Sequence, residues 1–234
     1  MGLSDDQIKA LKGKGYILNN DNEHFSCRIV TSGGKINARE AKKITEIGEK
    51  FGHGYYVLTQ RMQIEIPGLN YEDLDQVTKE LADVGLMIGG TGNRVRPVNT
   101  CKGSICKLGL YDTFEVTTKL NEKFYQGYYN EILPSKLRIN ITGCANNCSK
   151  IHLACIGLIG KKKNQVAVII GGMDGLEQSW GQELKGLYTV DEAMEIIEKI
   201  IVFYKNNALP GERLGKMVAR IGFGAIEEAI LGQG

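Results

Sequence analysis

No stretch of this chain approaches the roughly 20 consecutive apolar residues that a membrane-spanning helix needs, so membrane insertion is not expected. The opening residues, MGLSDDQIKALKGKGYILNN, lack the basic-then-apolar layout of a secretion leader, and the expected location is the cytoplasm. An excess of charge of one sign is missing too. Lys and Arg number 29 against 27 Asp and Glu, which excludes a broad nucleic-acid surface and confines any strong positive field to one locality. The C-x2-C knuckles usual in zinc ribbons are absent, as are a nucleotide-binding glycine motif, a C-x2-C-x2-C ferredoxin insert, internal repeats and low-complexity segments.

What remains is a chain of 234 residues, 42% of them hydrophobic, enough for one large domain or two modest ones with a substantial core. It carries 6 cysteines, all but Cys27 lying between Cys101 and Cys155. In a cytosolic chain such thiols are metal ligands or reactive groups more readily than disulfides.

The segment HFSCRIVTSGG (24–34) reads as a strand leaving into a glycine turn. INAREAKKITEIGEKFGHG then carries a helical stripe of Ala41, Ile44, Ile47 and Phe51, with Asn37 as its cap. In YYVLTQRMQIEIPGL, alternation at Met62, Ile64 and Ile66 suits a strand ending at Pro67. YEDLDQVTKELADVGLM predicts a second helix with Leu74, Val77, Leu81 and Val84 on one stripe. Residues 1–88 thus read β-α-β-α, a half-sheet with its helices on one face. The glycine-rich IGGTGNRVRPVNT (88–100) marks the boundary, with a second domain over 89–234. There CKGSICKLGLYDTFEVTTKLNEKF predicts a turn and a helix, and LPSKLRINITGC a strand with Arg138, Asn140 and Thr142 on one face. IGLIG and NQVAVIIGG read as buried strands flanking a GKKKNQ hairpin turn. TVDEAMEIIEKIIVFYKNNA opens on a capping box, Thr189 with Glu192, and a single helical tail closes the chain.

Four thiols form two pairs, Cys101-x4-Cys106 and Cys144-x3-Cys148. On a helix the second pair would share a face, whereas Cys101 and Cys106 would not, which puts at least one of them in a turn. Brought together, the pairs make a four-thiolate shell that both zinc and an iron–sulfur cluster accept. Cations stand close by in sequence: Arg96 and Arg94 five and seven residues before Cys101, Lys136 and Arg138 alternating in PSKLRIN, and Arg61 in LTQRMQ. Any one of them reads first as a solvated surface charge. Together they suit an anion or polycarboxylate ligand, with arginine supplying forked donors.

CKGSIC with TGCANNC, preceded by LPSKLRI and followed by IHLACIGLIGK, resembles the siroheme-dependent nitrite and sulfite reductases, in a small single-copy form like the anaerobic sulfite reductases. CRIVTSGG…LTQRMQIEIPGL looks like that family's ferredoxin-like half-domain, and the likeness runs from about residue 24 to the end. It implies an α+β fold: a ferredoxin-like half-domain followed by an α/β domain that binds siroheme and a [4Fe–4S] cluster. It assigns the cluster to Cys101, Cys106, Cys144 and Cys148, with Cys148 also bridging to the siroheme iron. The implied catalytic cations are Arg61, Arg96, Lys136 and Arg138, and the implied cofactor-binding residues are Arg28, Arg61, Arg94, Asn147, Cys148 and His152. Departures from the family pattern are four rather than five residues between the first two cysteines, Arg138 where lysine is usual, and Cys155 where an acid is usual. Cys27 and Cys155 read as small buried thiols.

The expected activity is six-electron reduction of a small oxyanion, sulfite to sulfide in preference to nitrite to ammonia. The alternatives are a non-catalytic [4Fe–4S] electron-transfer protein and a zinc-stapled interaction protein. Relatives carry two tandem copies of this unit, so association of identical chains is expected, with electrons from a separate ferredoxin-like or flavoprotein donor.

Overall fold

The structure, a computed structural model, describes residues 2–232. They form two compact units that part between Gly92 and Asn93.

The first unit runs α1 (Asp5–Lys14), β1 (Tyr16–Leu18), β2 (Phe25–Val30), α2 (Ala38–Phe51), β3 (Val57–Leu58), β4 (Ile64–Leu69), α3 (Leu74–Ala82) and β5 (Met87–Ile88). Its sheet has the order β1-β2-β4-β3, with β5 also paired to β2. Phe25, Cys27 and Ile29 from β2 and Ile64 and Ile66 from β4 meet Ile44 and Ile47 of α2 and Leu74, Val77 and Leu81 of α3 in one core. Asn37 caps α2 in a reciprocal capping box with Glu40. α1 and β1 are not among the elements that the sequence pattern predicts. α1 buries no residue completely, and Leu11 is only partly covered against the core, so its apolar stripe is weak; its signal is the Ser4–Gln7 capping box.

β4 does not end at Pro67 but continues to Leu69. The β2–β4 register slips between Phe25 and Cys27, which face Leu69 and Ile66, so β4 carries an extra residue there. A proline has no ladder hydrogen to lose at such a bulge, and the Pro67 carbonyl accepts from His53 N–H instead.

The second unit runs β6 (Asn99–Thr100), α4 (Thr113–Leu120) extended by a π-helical turn (Asn121–Gln126), β7 (Ile139–Thr142), β8 (Ile156–Lys162), β9 (Gln165–Ile170), β10 (Gln182–Glu183), α5 (Val190–Asn207), α6 (Leu214–Ile221) and α7 (Phe223–Leu231). The sheet order is β10-β9-β8-β7-β6; β6, β7 and β8 are parallel to one another, and β9 and β10 are antiparallel additions. The expected single tail is two helices, broken at Gly222, whose φ is 96°.

Alternation along the strands separates two faces. Ile139 and Ile141 of β7 and Ile156 and Leu158 of β8 join Val116 and Leu120 of α4 and Ile197, Ile200, Ile201 and Tyr204 of α5 in the main core. Burying an isoleucine contributes about 1.5–3 kcal/mol, so the apolar stripe of α5 outweighs its Thr189–Glu192 cap, worth about 1 kcal/mol, in holding the helix to the sheet. Arg138, Asn140 and Thr142 therefore look the other way. No helix among the described residues is long and apolar enough to cross a membrane.

Candidate cofactor and anion site

β6 and β7 run side by side with Asn99 facing Asn140 and Thr100 facing Ile141. The residues that follow them, Cys101 and the Gly143–Cys144 step, thus leave the carboxyl ends of adjacent parallel strands, the usual place for a site in such a sheet. The Cys101 Sγ accepts from Gly143 N–H at 3.2 Å and from Thr142 Oγ1 at 3.7 Å. Leu110 N–H donates to the Gly143 carbonyl at 2.9 Å, and Gly109 N–H to the Cys106 carbonyl at 2.9 Å. The two cysteine loops are in this way sewn to each other.

Local chemistry explains the close approach. A short 3-10 turn (Gly103–Ile105) lies between Cys101 and Cys106, and Thr113 at the start of α4 donates to the Cys101 carbonyl at 2.9 Å. A Cβ on Gly103 would stand 2.6 Å from Thr113 Cγ2, and one on Gly143 3.1 Å from the Gly103 Cα, so both glycines are needed for the loops to meet. Tyr111, absent from the sequence-based set, donates its hydroxyl to the Thr142 carbonyl at 3.1 Å. Burial, and secondarily negative charge at Cys101, pushes that phenol well above its ordinary range, so it stays a donor.

Cys144 and Cys148 do not share a helix. The segment is a tight turn in which Asn147 and Lys150 take left-handed φ values of 51° and 50°. Asn147 Oδ1 accepts from Ile151 N–H at 2.8 Å, which closes the turn. The chain then returns across the sheet: Asn140 Nδ2 donates to the Ser149 carbonyl at 2.7 Å, and Ser149 Oγ to the Ile141 carbonyl at 2.6 Å. Gly157 permits this, because a Cβ there would stand 2.9 Å from Ile151 Cβ. Cys101, Cys106 and Cys144 are half-buried, and Cys148 is exposed.

The cations of this unit gather at the other end of the same strands. Leu137 pairs with Val95 as a parallel bridge, with Arg96 N–H donating to the Leu137 carbonyl at 2.8 Å and Leu137 N–H to the Arg94 carbonyl at 3.1 Å. Arg94 and Arg96 on one segment and Lys136 and Arg138 on the other thus flank one rung. Arg94 lies over the Tyr129 ring at 4.6 Å. Arg138 donates through Nη2 to the carbonyls of Leu153 and Asp174, both at 3.4 Å, and Nη1 lies 3.6 Å from Asp174 Oδ2. His152 stacks on Trp180, their centroids 4.6 Å apart and 10° from parallel, leaving Trp180 66% exposed.

Arg28 and Arg61 belong to the first unit. Arg28 is held by Glu65, directly across the β2–β4 pair, with Nε and Nη2 both 2.7 Å from Oε1, so its fork is engaged inside the sheet. Arg61 is exposed in the β3–β4 turn, where Gln63 Nε2 donates to its carbonyl. Cys27 and Cys155 are fully buried, as expected; burial pushes the Cys27 thiol up to about 12.

The surroundings of Cys101 bear on what its sulfur could hold. A [4Fe–4S] cube takes each thiolate at a different corner, which spreads its ligands, and N–H and O–H donors aimed at Cys101 Sγ suit a sulfur carrying cluster charge. Among the buried polar atoms with no hydrogen-bond partner are Asn99 Oδ1, Arg138 Nε, and Arg213 Nε and Nη2. Asn99 faces Asn140, two residues from Arg138. Arg213 leads into α6, whose Gly215 abuts the Gly171 carbonyl and Met173 next to Asp174. Unpartnered buried guanidinium nitrogens are costly and fit a carboxylate-bearing ligand. The sequence signal for Arg213 is weak, one basic residue before a helix.

Residues 91–233 match the family described as nitrite and sulphite reductase 4Fe-4S domain, and residues 17–84 the nitrite/sulfite reductase ferredoxin-like half domain. The chain is 28% identical to an assimilatory-type sulfite reductase of Nitratidesulfovibrio vulgaris, covering 94% of this chain and 98% of that one. It is 25% identical to the coenzyme F420-dependent sulfite reductase of Methanocaldococcus jannaschii, over 90% of this chain but only 42% of that one. The crystal structure of dissimilatory sulfite reductase I superposes with a TM-score of 0.80 at 16% identity, covering 90% of this chain and 70% of that one, which shows a shared fold.

Proposed function

The chain belongs to the nitrite and sulfite reductase family, and from that premise we propose that it reduces sulfite to sulfide. Membership implies a [4Fe–4S] cluster and siroheme, the siroheme supplying, when bound, an iron that takes the oxyanion and is fed electrons one at a time through the cluster. Bisulfite then gains six electrons and six protons to give hydrosulfide and three waters. The observation that carries the reading is the alternation along one strand: Thr142 toward Cys101, Asn140 toward the Cys148 loop, Arg138 toward an anion-ready end. In this reading Cys101, Cys106, Cys144 and Cys148 ligate the cluster. Arg138, with Arg96 and Lys136, holds the oxyanion and offsets negative charge as it builds, while water on these cations relays protons. Arg94, His152, Asn147 and Arg213 take the macrocycle and its carboxylates. The name and near-complete coverage of the Nitratidesulfovibrio vulgaris relative favour sulfite; the family description also admits nitrite.

Anaerobically purified holoenzyme with reduced methyl viologen decides the matter. Sulfide should appear with sulfite, at a higher kcat/KM than ammonia with nitrite, and the visible spectrum should show a Soret band. Viologen left unoxidised by either oxyanion would end the reductase reading; brown absorption without a Soret band would leave an electron-transfer protein.

Copies are also proposed to associate. β3 is an edge strand, and Tyr55, Val57, Leu58 and Met62 around it are exposed at 53%, 44%, 74% and 46%, an apolar run of the kind that copies cover. Sedimentation should give a dimer or larger that Leu58→Lys weakens; a monomer at every concentration rules association out.

A further inference from the structure

The β8–β9 hairpin is not a detached surface turn. Asn164 at its tip, with φ 57°, donates its N–H to the Leu110 carbonyl at 3.0 Å. This puts the 161–163 lysines beside the loop that carries Cys106. On that loop two large apolar side chains face solvent, Ile105 at 75% and Leu108 at 54% exposure, and Lys102 and Lys107 flank them, both exposed. The acids in reach are committed elsewhere. Glu183 pairs with Lys161 at 2.8 Å, Glu115 with Lys119 at 2.8 Å, and Asp112 caps α4 and binds Ser104 Oγ. No acidic side chain pairs with Lys102, Lys107, Lys162 or Lys163 among the described residues.

We propose that this surface, Ile105 and Leu108 ringed by Lys102, Lys107, Lys162 and Lys163, docks an acidic one-electron carrier protein beside Cys106. The inference rests on the reductase reading and names the entry point of its electrons. An apolar centre within a basic rim is what a transient complex needs: the rim steers an acidic partner, and the centre gains from losing water. At each encounter the partner's reduced iron–sulfur or flavin centre loses one electron and the cluster gains it, six such transfers serving one sulfite. A small, salt-sensitive interface lets the spent partner leave.

The test uses the full-length holoenzyme with two acidic donors, a plant-type [2Fe–2S] ferredoxin and a flavodoxin, and reduced methyl viologen in parallel. In the Lys162→Glu/Lys163→Glu variant, KM for the protein donor should rise about tenfold or more through lost charge complementarity, while the viologen-driven rate stays within about twofold. Ile105→Ser should raise the same KM. Raising salt from about 0.1 M to about 1 M, which shortens the screening length from about 10 Å to about 3 Å, should weaken the wild type far more than the charge-reversed variant. Equal KM values for wild type and variants, or no turnover with either acidic donor while viologen works, would overturn the docking site and leave the reductase standing. Failure with viologen too would remove both.

Discussion

Cys101→Ser is expected to yield a folded protein with no cluster iron, no brown absorption and no oxyanion-dependent viologen oxidation. Every electron passes through the cluster in this reading, so the loss is complete rather than graded. The sulfur is the anchor of the arrangement. It stands directly after β6 and receives both the Gly143 amide and the Thr142 hydroxyl from the end of β7, so it joins the loop of the first cysteine pair to that of the second. A serine oxygen is a harder donor that suits iron–sulfur clusters poorly, and it is too short to keep both incoming bonds. Thr142→Val, which removes only one donor to that sulfur, should cost no more than the roughly 10–100-fold seen when an outer partner of a metal ligand is lost. Iron content, the visible spectrum and far-ultraviolet circular dichroism measure cluster and fold separately. Cys101→Ser protein that retains iron and turns over sulfite would show that the ligand set is drawn wrongly.

The loops that carry the two cysteine pairs are easy to locate in the sequence, because the chemistry is in the residue types, although four thiols by themselves suit zinc as well as an iron–sulfur cluster. Their path is harder. Cys144 and Cys148 stand at helical spacing, but Asn147 and Lys150 adopt left-handed φ values, and only the return of the chain across β7, bonded at Asn140 and Ser149, requires them. Helices with a fully buried apolar stripe are readable, as α2, α3 and α5 show; α1, which buries no residue completely, is not. The extension of β4 past Pro67 escapes a sequence reading because a bulge is set by the partner strand and leaves no local mark. Among the cations, spacing alone does not separate Arg28, locked to Glu65, from Arg138, which keeps a buried donor unpartnered. Arg213 gives no such signal because its neighbours come from distant segments. Membership of a set of charges is visible in the sequence, and the commitment of each charge is not.

Arg138 is where these two kinds of role have to be told apart, and magnitudes do it. Its contacts to Leu153 and Asp174 are long: 3.4 Å to the two carbonyls and 3.6 Å to Asp174 Oδ2. Asp174 is 47% exposed against 16% for Arg138, so the ion pair is worth at most about 1 kcal/mol and its loss should move Tm by only a few degrees. A cation placed where charge develops in the transition state is worth more: removing one such donor costs about 10²–10³ in kcat. Arg138→Ala is therefore expected to lower kcat with sulfite by about a hundredfold or more, with siroheme and iron content near normal. Arg138→Lys, which keeps the charge but not the fork, should recover part of it. Asp174→Asn separates the readings. If Arg138 only tied down the 173–174 loop, this variant would reproduce the Arg138→Ala defect. If Arg138 serves the anion, freeing it from its carboxylate neighbour should leave kcat intact and lower KM for sulfite, and a shared loss in both variants would return Arg138 to a purely structural part.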